Sequence, residues 1–161
     1  MNKTENMYTQ NRSTRIASLV MILIGILSGI FSFINDSHAA WTNLLFNNYF
    51  FLGISLFAVF FVALQYVSEA GWSIVLKRVP EAIMTFLPYV SAIMLFIVIT
   101  AVLHFGGNHI YHWLEPGIMT EGSPNYDKII AGKEPYLNST FFLIRSFLYV
   151  IIWVYCARRL R

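Results

Sequence analysis

Four stretches of this chain are apolar at nearly every position: Ile16 to Ile34, Tyr49 to Ser68, Met84 to Leu103 and Thr140 to Ala157. Each holds 18 to 20 residues, the length a helix needs to cross a hydrocarbon core of roughly 30 Å. None alternates with period two as a membrane barrel strand would. A run that is apolar on every face suits a helix, which satisfies its own backbone groups in lipid. The pattern predicts an all-α, polytopic membrane protein in which four transmembrane helices form a bundle over 16–157. A short arm at 1–15 precedes it and a basic end at 158–161 follows. Aromatic residues crowd the block ends (Trp41, Tyr49, Trp72, Tyr89, Trp113, Tyr136, Trp153 and Tyr155), where amphipathic rings meet headgroups.

Composition agrees with this reading: 57% hydrophobic against 12% charged residues excludes the usual soluble classes. The 11 Lys and Arg residues then orient the helices. Lys3, Arg12, Arg15, Lys77, Arg78, Arg158, Arg159 and Arg161 fall on one side, whereas Lys128 and Lys133 fall on the other and Arg145 lies inside the fourth block. Both termini are therefore expected in the cytoplasm. This asymmetry accounts for the net charge of +3, so basicity is no argument for a nucleic-acid partner. The first block, with small residues near Ser37, Ala39 and Ala40, has some features of a cleavable signal peptide. Its 19 residues exceed the usual apolar core of such signals and favour a retained span.

Redox ligands are scarce. One cysteine, Cys156, supports neither a thiolate cluster nor a C-x-x-C-H haem attachment. A haem between spans needs paired histidines at membrane depth, but His38, His109 and His112 fall in loops and His104 at the outer end of the third span. The expectation is that this chain alone binds no redox cofactor. Signatures of nucleotide binding, zinc proteases and serine hydrolases are also missing. Asn138-Ser139-Thr140 matches a glycosylation sequon by chance.

Three regions carry candidate chemistry. The connection from His104 to Ser139 is long for a loop. Its apolar patches around Trp113 and Ile129–Ile130 predict an ordered cap that docks a partner. In the turn after the second block, Gln65, Glu69 and Trp72 follow helical spacing, which predicts that the second helix carries a polar stripe past the hydrocarbon edge. There Glu69 is either a solvated charge or the cytoplasmic mouth of a proton path. Pro80 followed by Glu81 reads as the first turn of the third helix.

Arg145 lies about one and a half turns inside the fourth block, where a buried cation costs roughly 2.5–3.5 kcal/mol on insertion scales. Phe141, Arg145, Tyr149 and Trp153 recur every four residues, so Arg145 either faces protein on this stripe or snorkels outward to phosphates. His104, His109 and His112 gather at the same level. Metal ligation, loop hydrogen bonding and proton transfer are the three readings of these imidazoles. Gln65, Glu69, His104, His109, His112, Arg145 and Tyr149 are thus the quinone-site or proton-path candidates, with no catalytic residue and no metal ligand assigned.

The run NNYFFLGISLFAVFFVALQYVSEAGWSIVLKRVPEA (Asn47 to Ala82), followed by FLP (Phe86 to Pro88), HIYHW (His109 to Trp113) and KEPYLNSTFFLIR (Lys133 to Arg145), resembles the F subunit of bacterial alternative complex III, a quinol:cytochrome c oxidoreductase. The resemblance extends from about Trp41 onward. It implies a multi-pass subunit of the bacterial inner membrane related to the membrane subunits of polysulfide reductase-like enzymes. It also implies partners that hold iron–sulfur clusters and c-type haems, and a sister membrane subunit that binds quinol. Trp72, Lys77, Arg78, Glu81, His112, Tyr136, Asn138 and Arg145 match positions of that family. Family members continue beyond a fourth helix, so this chain is expected to be the N-terminal portion of a longer protein, the alternative being a truncated homologue without the second bundle. Two roles follow: a subunit that supports quinol oxidation and proton movement, or a non-catalytic anchor of the assembly.

Overall fold

The computed structural model describes residues 11–161. Lys3, assigned to the cytoplasmic arm, lies outside the described residues. Four helices are long and apolar enough to cross a membrane, and no strand occurs among the described residues. Helix α1 spans Arg12–Asn35 and α2 spans Ser37–Val67. Two short helices, α3 (Ser73–Leu76) and α4 (Arg78–Met84), lead into α5 (Leu87–Val102). The loop that follows holds two 3-10 turns, Phe105–Gly107 and His112–Leu114, and one turn of α-helix, α6 (Lys128–Ala131), before α7 (Ser139–Leu160). Helices α4 and α5 together form the third membrane-crossing segment, Arg78–Val102.

Helix boundaries depart from the apolar blocks wherever a capping residue intervenes. The expected arm at 1–15 is helical from Arg12, with Asn11 at the cap accepting from the Ser13 N–H. A single extended residue, Asp36, separates α1 from α2, and its carboxylate accepts the Ala39 N–H at 3.1 Å. Helix α2 therefore starts 12 residues before the apolar block that predicted it. His38, expected in a loop, sits in the first turn of α2. At 31 residues the helix is about 46 Å long, well over the hydrocarbon thickness. Its first turns are polar (Thr42, Asn43, Asn47), and the apolar stretch begins after them.

At the opposite end the polar stripe is not continuous. Helix α2 stops at Val67, and Glu69 adopts φ +49°, the left-handed conformation that ends helices. Glu69 and Trp72 thus do not lie on α2, and Glu69 is exposed. The last four carbonyls of a helix lack intrahelical partners, and the turn supplies partners for three of them here: Ser68, Glu69 and Ala70 donate their N–H groups back to Leu64, Tyr66 and Gln65. Pro80 falls in the first turn of α4, where its missing N–H costs nothing. Beside it Lys77 pairs with Glu81 at 3.4 Å.

The core is an antiparallel seam between α2 and α5. Trp41, Asn48, Ser55 and Val62 are buried on α2 at seven-residue intervals, with Leu52 and Ala58 between them. Facing them are Leu87, Val90, Ser91, Ile97, Val98, Thr100 and Ala101 of α5. The small side chains Ser55, Ala58, Ser91 and Ala101 let the backbones approach, and such packing holds helices together where lipid offers no hydrophobic gain. Helix α7 closes one side through Trp153 and Ala157. Helix α1 has no buried residue. It touches α2 near the turn, where Phe33 meets Trp41 edge to face at 5.0 Å.

Candidate functional site

The loop end of the bundle is where polar groups enter the apolar interior. Two residues past the end of α5, His104 takes φ +50°, and Gly106 and Gly107 continue in the left-handed region at φ +62° and +70°. This reversal presents the Gly106 carbonyl to Trp41 Nε1, which donates at 3.0 Å, and to the Ser37 hydroxyl. A Cβ at Gly107 would stand 3.0 Å from Ser37 Oγ, so glycine there serves both conformation and close approach. Trp41 is therefore a buried strut between α2 and the loop.

Asn108 is the next anchor. Fully buried, it donates from Nδ2 to the Ile97 carbonyl at 3.2 Å and to Thr100 Oγ1 at 3.0 Å. The loop beyond it is ordered by further local devices. Ile118 is fully buried, and its carbonyl accepts the Asp127 N–H at 3.0 Å. Asp127 in turn caps α6 through the Ile129 and Ile130 N–H groups. Tyr111 and Trp113 pack edge-on against Phe142 of α7 at 5.4 and 5.3 Å, and burial raises the pKa of the Tyr111 phenol.

Asn138, matched by the sequon, is the N-cap of α7, its side chain accepting the Phe141 N–H at 2.8 Å. This cap starts the helix so that Arg145 falls six residues in and points inward. Its guanidinium lies 4.0 Å from the centre of the Tyr136 ring and 5.4 Å from that of Phe141. Nη1 of Arg145 is buried without a hydrogen-bond partner. Around it opens a cleft of about 330 Å³ between α2, α5 and α7, bounded by Tyr49, Tyr111, Tyr136, Tyr149 and Trp153, with Leu52, Met94, Leu95 and Val98 as its floor. Tyr149 and Trp153 stack at 6.0 Å and 17° and line the cleft with Arg145, whereas Phe141 and Tyr149 of the same stripe keep an exposed side.

Of the seven candidate residues, the structure brings only Arg145 and Tyr149 together in this cleft. The imidazoles lie elsewhere. His104 and His109 face each other at 5.4 Å, both exposed. His112 points outward and meets Glu115 at 3.3 Å. Among the described residues no three His, Cys, Asp or Glu side chains are arranged to hold a metal.

Gln65 borders a separate cavity of about 40 Å³ at the other end of the bundle, with Tyr66, Ser73, Lys77 and Pro80, and its Oε1 is buried without a partner. The hydrogen bond from Lys77 to the Tyr66 hydroxyl raises the lysine pKa, with desolvation opposing it and Glu81 adding to it. Glu69 does not line that cavity. Asn108, which anchors the loop end, escaped the sequence reading, and Tyr49 and Tyr136 were read as interfacial aromatics without their place at the cleft. An asparagine directly after a Gly-Gly pair, and tyrosines at block ends, carry no signal of which groups they meet.

Protein-family models yield no match to the chain, and no curated protein matches it at a significant level. The class is defined by the fold: an all-helical chain with four helices long and apolar enough to cross a membrane.

Proposed function

We propose that the chain is an integral membrane subunit of a respiratory quinol:cytochrome c oxidoreductase of the alternative complex III kind. Both termini lie on the cytoplasmic side of a bacterial inner membrane. The subunit supports quinol oxidation, electron transfer and proton movement while holding no redox centre of its own. Iron–sulfur clusters and c-type haems sit in partner subunits above the loop end, and a sister membrane subunit binds quinol. The observation that carries the reading is the concentration of intramembrane polarity at one point. A permanent cation, Arg145, stands inside a tyrosine-lined cleft directly beneath an ordered loop. Ionisable groups within spans are costly and are retained for function. Gln65 and the Lys77–Glu81 pair mark the cytoplasmic side, where Glu69 is a solvated charge.

The test is turnover in the assembled complex. Arg145→Leu lowers quinol oxidation severalfold, whereas Glu69→Gln leaves it near the wild-type rate. Unchanged turnover of Arg145→Leu in a fully assembled complex favours the second reading, a non-catalytic anchor. That alternative draws support from α1, none of whose residues is buried within this chain, and from three histidines turned away from the cleft.

A further inference from the structure

We propose that the Arg145 cleft is a specific phospholipid site. It takes the phosphodiester of a lipid of net negative charge, such as a phosphatidylglycerol, with an acyl chain laid along its apolar floor. This goes beyond the respiratory role and does not depend on it. A guanidinium does not lose its proton in proteins, so burial cannot neutralise Arg145 as it can a lysine or a carboxyl. Its Nη1 is shielded and unpartnered. The ring faces of Tyr136 and Phe141 offset part of the charge. No carboxylate lines the cleft, and the carboxylates that meet basic side chains among the described residues, Glu81 beside Lys77 and Glu115 beside His112, lie elsewhere.

The cleft is therefore complementary in charge to an anion. A neutral quinol offers oxygen acceptors but leaves the charge uncompensated. The cleft also offers no carboxylate to an ammonium headgroup, which disfavours zwitterionic lipids. Leu52, Met94, Leu95 and Val98 give the floor hydrocarbon character. The exposure of Tyr49 and Tyr149, 66% and 46%, leaves the cleft open sideways, where a lipid enters from the bilayer. A guanidinium fork matches phosphate oxygens in pairs, and the surrounding low dielectric strengthens that contact.

The experiment uses the full chain purified in neutral detergent. Lipid retention is read by native mass spectrometry and stabilisation by thermal unfolding, with phosphatidylglycerol, phosphatidylcholine, inorganic phosphate and a short-chain quinol as separate probes. One phosphatidylglycerol per chain is expected to be retained and to raise the unfolding midpoint, with phosphatidylcholine and free phosphate each much weaker. Arg145→Gln weakens phosphatidylglycerol binding by about tenfold, the scale of a charge-assisted hydrogen bond. Arg145→Lys restores part of it. Equal binding of the two lipids to the wild-type chain would overturn the proposal, and this comparison stands alone should Arg145→Gln fail to fold. Phosphate binding as tightly as the lipid, or a quinol displacing phosphatidylglycerol in an Arg145-dependent manner, would also overturn it.

Discussion

Asn108 holds the long loop to the bundle, and removing its side chain tests whether that loop is an ordered cap. The residue has no exposed surface. Its amide donates to Ile97 O at 3.2 Å and Thr100 Oγ1 at 3.0 Å, and its Oδ1 accepts the Ile110 N–H at 3.4 Å. In Asn108→Ala the Ile97 carbonyl keeps its partner from the Thr100 hydroxyl, while the Ile110 N–H loses Oδ1. Each lost bond is worth about 1 kcal/mol net, and the void adds a packing cost, giving a loss of about 2–4 kcal/mol. Asn108→Leu fills the space without the bonds and isolates their share, about half of that loss. Equilibrium unfolding in mixed micelles measures the stability change, and limited proteolysis within 109–135 reports release of the loop. If both variants stay within about 0.5 kcal/mol of wild type and the loop is cut no faster, Asn108 is not the anchor and the argument for an ordered cap fails.

Three further outcomes are expected. Glu69→Gly removes the cost of a left-handed non-glycine residue at an exposed helix end and raises stability by about 1 kcal/mol; a lower unfolding midpoint would show that the Glu69 carboxylate matters structurally. Stability should fall at alkaline pH. The folded state holds Tyr111 protonated above its unfolded value, so the contribution is complete below about pH 10 and is lost as pH rises through the folded value. Tyr111→Phe should flatten that slope, and an identical pH profile in the variant would contradict it. For topology, Cys156→Ser combined with Glu121→Cys should label with an impermeant maleimide from the periplasmic side of spheroplasts; labelling only after lysis would invert the orientation.

The number of helices and their general positions were legible because hydrocarbon thickness fixes the length of an apolar block, a property of composition that needs no tertiary information. Helix ends were less legible. Asp36 starts α2 within a polar stretch, and Asn138 starts α7 inside an apparent sequon. In each case a side-chain oxygen paired with a backbone N–H set the boundary, where hydropathy alone placed it at the polarity change. The helical spacing of Gln65, Glu69 and Trp72 misled for a related reason. Periodicity describes where residues would sit if the helix continued, and here the backbone leaves the helix at Ser68.

By itself the sequence determined an all-α chain with four membrane-length helices, and it placed Arg145 with Tyr149 and Trp153 on one stripe. Only the tertiary structure decided what that stripe faces and which polar groups share its space. It separated the three histidines from Arg145, which the sequence had placed at one level, and it brought in Tyr49 and Tyr111 from distant parts of the chain. The reason is geometric: periodicity along one helix assigns a side chain to a face, but the neighbours of that face depend on how α2, α5 and α7 pack.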